Sequence, residues 1–195
     1  MKTWSQELVD RYPEVLVRKL RGVPFAAGYP QCNTGWRDIV TNLVARVSAA
    51  AVGYSVQLTE IQERHGRLII YWKAETALPI RVERAIADAI ALAEARAACS
   101  CTVCGASARL FSDAGQLLTA CTKHARGIPV RVRPGAENLH IVRTFVGDGV
   151  GGVIGCQRYD RVHDRFTDSD LIGADDWHEI RSRGKSKIPR TDNKD

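Results

Sequence analysis

CSCTVCGASARLFSDAGQLLTACTKH, residues 99–124, decides how this chain is read. It gathers four of the six cysteines and one of the five histidines. Cys101-Thr-Val-Cys104-Gly105 is a C-x2-C knuckle, in which the glycine supplies the backbone freedom of a tight turn. Cys121-Thr-Lys-His124 is a C-x2-H pair. Between them, ARLFSDAGQLLT predicts a β-hairpin with Asp113-Ala114-Gly115 at its tip. The second pair is expected at the start of a helix, whose partly positive end favours thiolate over thiol. Knuckle, hairpin and helix together make a treble-clef-like unit. Cys101, Cys104, Cys121 and His124 then form a Cys3His set for one structural Zn2+, tetrahedral and with no open position. Cys99 is expected to be a spectator, because C-x-C is a poor chelate for one tetrahedral ion.

Outside this stretch, Cys32 and Cys156 read as ordinary thiols. In a reducing compartment, cysteines clustered at short spacing are metal ligands more often than disulfide partners. MKTWSQELVD lacks the apolar run of a secretory signal, and no segment approaches the roughly 18 apolar residues that suggest a membrane span. These features predict a soluble protein of the cytoplasm. With 195 residues and 45% hydrophobic content, the chain can bury one good core or a core with a small satellite.

The net charge of +6 is concentrated at one end. RSRGKSKIPRTDNKD, residues 181–195, holds six basic and two acidic side chains, a net +4 that leaves +2 for everything else. The body is nearly neutral, and the terminus reads as a disordered basic tail.

Working outward from the cysteines, IRVERAIADAIALAEARAAC after Pro79 predicts a helix with Val82, Ile86, Ala89, Ile90 and Ala93 on one stripe. It delivers the chain to the cluster. A second helix is predicted from Trp36, with Ile39, Val40, Leu43, Val44, Val47 and Ala51 on its apolar face, Asn33 or Thr34 at its start and Gly53 at its end. Between the two, SVQLTEIQERHGRLIIYW predicts a hairpin turning at Arg64-His65-Gly66-Arg67, its second strand apolar enough to be central. The chain starts with short helical turns broken by Pro13, and GVPFAAGYPQCNTGW reads as an irregular connector. Trp36, Tyr71 and Trp72 are assigned to the core. After residue 127, NLHIVRTFV and VIGCQRYDRVHDRFTD predict strands, with GDGVGG as a turn and Tyr159 and Phe166 on hairpin arms.

The expected architecture is therefore α+β. It comprises a helix/hairpin domain (1–98), a treble-clef-like zinc unit (99–127), a small antiparallel β unit (128–180) and the basic tail (181–195).

Several stretches resemble, in the same order, a widespread group of uncharacterised proteins from phages, prophages and bacteria: RYPEVL, PFAAGYPQCNTGWRDIV, QERHGRLIIYW, TVCG and LLTACTKH. The likeness covers roughly residues 5–126. It implies a compact domain closed by zinc at Cys101, Cys104, Cys121 and His124, and it brings no established activity. Members of that group often carry Gly or an acidic residue in place of Asn33-Thr34, and Phe where His65 stands.

Catalytic patterns are weak. His124-Ala-Arg-Gly-Ile128-Pro129, with Gly135 and Asn138, echoes an HNH nuclease, but that chemistry needs a free histidine and an acidic neighbour where Lys123 stands. His163 with Asp160 and Asp164 reads as a charged hairpin tip, DDWHEI as a short helix with an acidic first turn, and GDGVGG lacks the spacing of a phosphate cradle. The expectation is a non-enzymatic recognition protein of the bacterial cytoplasm that docks on a host protein or nucleoprotein complex. A defence inhibitor, anti-CRISPR or anti-restriction, is the form that a mobile-element origin suggests. The alternative is nucleic-acid binding through Arg131, Arg133, Arg143, Arg158, Arg161 and Arg165, many of them sharing one face of alternating strands, together with the tail.

Overall fold

Thr3 opens the first helix, its hydroxyl oxygen accepting the Gln6 N–H at 3.3 Å and so satisfying a donor the helix itself cannot pair. The structure, a computed structural model, describes residues 2–145 and 152–167. Helix α1 (Trp4–Arg11) gives way at Pro13 to the single turn α2 (Pro13–Leu16). A residue without an N–H fits that first helical position.

The next stretch corrects the sequence reading. Residues 22–36 are not wholly an irregular connector, because β1 (Arg18–Leu20) pairs antiparallel with β2 (Val23–Phe25) around Arg21 and Gly22, both at positive φ. A two-residue loop of that kind matches the twist of the flanking strands. Pro24 hides the strand signal, yet a proline is tolerated where a strand lies at an edge.

Beyond this hairpin, β3 (Pro30–Gln31) lies parallel to β4 (Val56–Arg64), which pairs antiparallel with β5 (Arg67–Ala74) in the order β3-β4-β5. Strand β5 is thus an edge strand rather than the central one its apolar run suggests. Its Leu68 and Ile70 are buried because α4 (Ile80–Ala98) packs against it. Alternation turns the next residue the other way, so Tyr71 is 54% exposed and does not belong to the core.

A short 3-10 turn, Thr34–Trp36, leads into α3 (Arg37–Ala50). Helices α3 and α4 pack together, and Val40, Leu43, Val44 and Val47 from one meet Val82, Ile86, Ala89 and Ala93 from the other in a single core with Leu8, Leu16 and Leu58. Full burial of each large aliphatic side chain contributes about 1.5–3 kcal/mol. Trp36 is wholly buried there, and Trp72 packs at its margin.

The chain then forms β6 (Arg109–Asp113) and β7 (Gln116–Ala120), turning at Ala114 and Gly115 as expected. Strand β8 (Ile128–Pro129) returns to pair with the other edge of β6, giving the order β7-β6-β8. A last antiparallel sheet has β10 (Gly152–Asp160) between β9 (Leu139–Phe145) and β11 (Arg165–Thr167). Its Tyr159, 2% exposed, packs with Phe166 against Ala95, Cys99 and Leu92. The small sheet therefore leans on α4, as its limited apolar content requires.

Among the described residues, no helix is long and apolar enough to cross a membrane. The glycines before Gly152, the DDWHEI segment and the basic tail lie outside the described residues.

Candidate metal centre

Helix α4 ends at Ala98, and the chain enters a tight knuckle. The Gly105 N–H donates to the Cys101 carbonyl at 2.8 Å, and the Cys101 N–H donates to the Ala106 carbonyl at 2.8 Å. Gly105 sits at φ +74°, a conformation side chains rarely adopt. Ser100 and Ser107 form a β-bridge that closes the base of the loop.

At the end of β7 the chain makes a second turn, in which the His124 and Ala125 N–H groups both donate to the Cys121 carbonyl, at 3.0 and 2.8 Å. No helix begins there, contrary to the treble-clef expectation. Gly127, at φ +71°, and Pro129 turn the chain back into β8 instead. A Cβ on Gly127 would collide with the Ser112 carbonyl, so this return depends on glycine. Two knuckles on a three-stranded sheet replace a knuckle and a helix.

The two turns bring Cys101, Cys104, Cys121 and His124 together, with all ligand atoms within 4.8 Å of one another. Cys104 Sγ lies 3.7 Å from Cys121 Sγ. His124 Nδ1 lies 3.3 Å from Cys121 Sγ and 3.5 Å from Cys101 Sγ. A disulfide needs about 2.05 Å between sulfurs, so these are free thiols converging on one point. Cys101 and Cys121 are buried and Cys104 faces solvent.

Burial opposes ionisation of Cys101. The backbone N–H groups of Cys121, Cys104 and Val103 and the His124 side chain overcome it and draw the thiol down to about 6. A knuckle that already solvates a thiolate is prepared for a cation. The site thus offers three sulfurs and one imidazole nitrogen to a single metal ion. Cys99 stands apart, its thiol donating to the Arg96 carbonyl at 3.3 Å. The two remaining thiols are held protonated, Cys32 pushed up to about 12 by burial and by Glu63, Cys156 raised by burial.

Comparison with protein-family models, with curated proteins and with solved structures gives no match. What the centre does must be read from its surroundings.

Those surroundings are the stretches that sequence reasoning singled out without seeing how they meet. The Trp36 indole donates to the Ser100 carbonyl at 2.8 Å, and the Gly35 N–H donates to the Thr102 carbonyl at 2.9 Å. A Cβ on Gly35 would meet the Cys101 carbonyl, the Thr102 carbonyl at 2.6 Å and the Cys104 nitrogen at 2.7 Å. The NTGW segment is therefore the seat of the first knuckle. On the other side, the Thr119 hydroxyl donates to the Gly66 carbonyl at 2.6 Å, and a Cβ on Gly66 would meet Leu110 Cδ1 at 2.6 Å. The His65-Gly66 turn docks on the hairpin between the ligand pairs. A glycine beside a tryptophan, and another in a hairpin tip, were the visible signals; neither reveals its partner.

Arg158 and Arg165 project from the outer side of the last sheet, but the Arg158 guanidinium donates to the Glu137 and Gly135 carbonyls at 2.5 and 2.8 Å. Arg161 donates to the Gly105 carbonyl at 3.3 Å, and its own carbonyl accepts from Arg96 at 2.5 Å. It joins the small sheet to the knuckle. Arg131 and Arg133 lie on the segment between β8 and β9, and Arg143 pairs with Ile154 within β9 and β10. At the hairpin tip, Asp160 accepts from the Val162 and His163 N–H groups and pairs with the His163 ring at 2.5 Å, the role of a turn. Asp164 instead accepts from the Tyr159 hydroxyl at 2.5 Å and pairs with Arg46 at 3.4 Å, tying the tip back to α3.

Proposed function

We propose that the centre holds one structural Zn2+ and that the protein is a non-enzymatic recognition module that docks on a host protein or nucleoprotein complex. The observation that carries the metal assignment is the spacing of the ligand atoms. A tetrahedron with Zn–S near 2.3 Å and Zn–N near 2.0–2.1 Å has edges of about 3.8 Å between sulfurs and about 3.6 Å between sulfur and nitrogen. Three of the six separations, at 3.7, 3.5 and 3.3 Å, lie close to those edges, and all six fall within 4.8 Å. Four protein ligands fill such a sphere and leave no position for a water nucleophile. That arrangement speaks against the HNH reading, since His124 is occupied as a ligand.

Zinc bound here stabilises the packing of Gly35 and Trp36 on the first knuckle and of Gly66 on the hairpin, because the ion cross-links the two chain segments those residues touch. The resemblance to proteins of phages and prophages motivates the further step, a role in blunting a host defence complex of CRISPR or restriction type. Affinity purification from the bacterial host with mass spectrometry tests it. A stoichiometric host partner supports the reading, and its absence from infected and lysogenic cells contradicts it. The alternative of nucleic-acid binding has weaker support, because two of its six arginines are engaged with carbonyl groups of the protein itself.

A further inference from the structure

We propose that the cleft between β1 and the β4–β5 sheet is where an acidic, aliphatic segment of a partner protein docks. This deepens the recognition reading and rests on it. Val17, Arg18, Lys19 and Leu20 form one wall, and Gln57, Lys73 and Glu75 the other, around a volume of about 370 Å³. That lies in the range of sites that take a few side chains.

Charge selects the occupant. Three cations and one carboxylate line the cleft. Lys19 and Lys73 make no ion pair among the described residues. An incoming carboxylate brings these cations a counter-charge. Glu75 alone opposes it.

The rim adds the second half of the chemistry. Leu20, Val23 and Phe25 of the β1–β2 hairpin are 56%, 65% and 50% exposed, a run of apolar surface beside the cations. Such a patch marks a contact surface more readily than a solvated loop does. Single-stranded nucleic acid would call for open aromatic faces. Here the Arg18 guanidinium already lies 5.7 Å from the Phe25 ring centroid, and the remaining rim is Leu and Val. Aliphatic side chains of a protein match that rim better. Among the described residues, strand β1 is hydrogen-bonded on one side only, so an extended segment can pair along the other.

The test pans the full-length, zinc-loaded protein against a displayed library of random linear peptides. Enriched sequences should combine Asp or Glu with Leu, Ile or Val, and Arg18→Glu or Lys73→Glu should each weaken the selected peptides by about tenfold or more. Both variants must keep the zinc content and circular dichroism of the parent; a Lys73→Gln variant serves if charge reversal disturbs folding. Enrichment without acidic residues, or binding indifferent to the substitutions, overturns the proposal. So does an oligo-dT strand that binds and is lost in the same variants, which would assign the cleft to nucleic acid. A cellular partner retained by the Arg18→Glu, Lys73→Glu double variant overturns the cleft while leaving the recognition reading intact. Failure to recover any cellular partner, with cleft-dependent peptide binding preserved, removes that reading alone.

Discussion

The Trp36 indole donates to the Ser100 carbonyl at 2.8 Å across 64 positions of sequence, one residue before Cys101 of the Cys/His cluster. The donor and acceptor are both buried, so neither can turn to water instead. Trp36→Phe should lower stability by about 1–3 kcal/mol, since the Ser100 carbonyl is left unpaired. Urea denaturation of the zinc-loaded protein measures it; an unchanged midpoint would contradict the assigned role.

Gly35→Ala acts on the same seat through volume. The added methyl has backbone on three sides, and the backbone of a tight knuckle cannot give way as a flexible side chain can. Overpacking should destabilise by about 1–3 kcal/mol and also weaken zinc retention. Competition with a chromogenic chelator reports the second effect, and Trp36→Phe should show less of it.

Thr119→Val tests the opposite seat. The substitution keeps the shape but removes the donor to the Gly66 carbonyl, a bond of 2.6 Å in a buried site. A loss of about 1–3 kcal/mol is expected, with one zinc per chain retained.

Much of this was legible in the sequence, and the failures have physical causes. The stripes from Ile39 to Ala51 and from Val82 to Ala93 specify α3 and α4 because a 3.6-residue period admits one buried face. The gathering of Cys101, Cys104, Cys121 and His124 was readable because paired short spacings turn both side chains of each pair to one side of a tight turn. Pro24 conceals the β1–β2 hairpin, and Gly127 with Pro129 turns the chain into β8 where a helix after Cys121 was expected. The seats at Gly35 and Gly66 could not be found, because a glycine shows nothing of what presses against it.

Tyr159 anchors the last sheet to α4, with edge-on ring contacts to Phe166 at 5.8 Å and His140 at 6.1 Å between centroids. Tyr159→Ala should cost about 3–5 kcal/mol if the whole protein responds as one unit. The sheet has little other core, so the loss should appear first as local opening. Hydrogen exchange should quicken in β9 and β10 while α3 and α4 stay protected. Uniform acceleration across both would contradict a separately seated sheet.

Two half-buried groups give stability an opposing pH dependence. Burial, with Arg67 assisting, pushes His140 from 6.5 down to about 4, so between those values the unfolded chain binds more protons and stability falls as pH falls. Burial pushes Glu94 from 4.5 up to about 7 against the pull of Arg67, so the folded chain binds more protons there and stability falls as pH rises. The two largely cancel between pH 4.5 and 6.5 in the parent. Glu94→Gln should therefore gain stability relative to the parent as pH rises from 4.5 to 7, on the order of 2 kcal/mol. His140→Gln should gain it as pH falls from 6.5 toward 4. Urea titrations across the range separate the two, and parallel curves for parent and variants would contradict the assignment.

X-ray absorption at the zinc edge, on protein purified without added metal, tests the centre itself. One zinc per chain should be found, surrounded by three sulfurs at about 2.3 Å and one nitrogen at about 2.0–2.1 Å, with Cys101, Cys104, Cys121 and His124 each required for that signal. Protein that folds without stoichiometric metal, or a sphere that includes a water oxygen, would contradict the account.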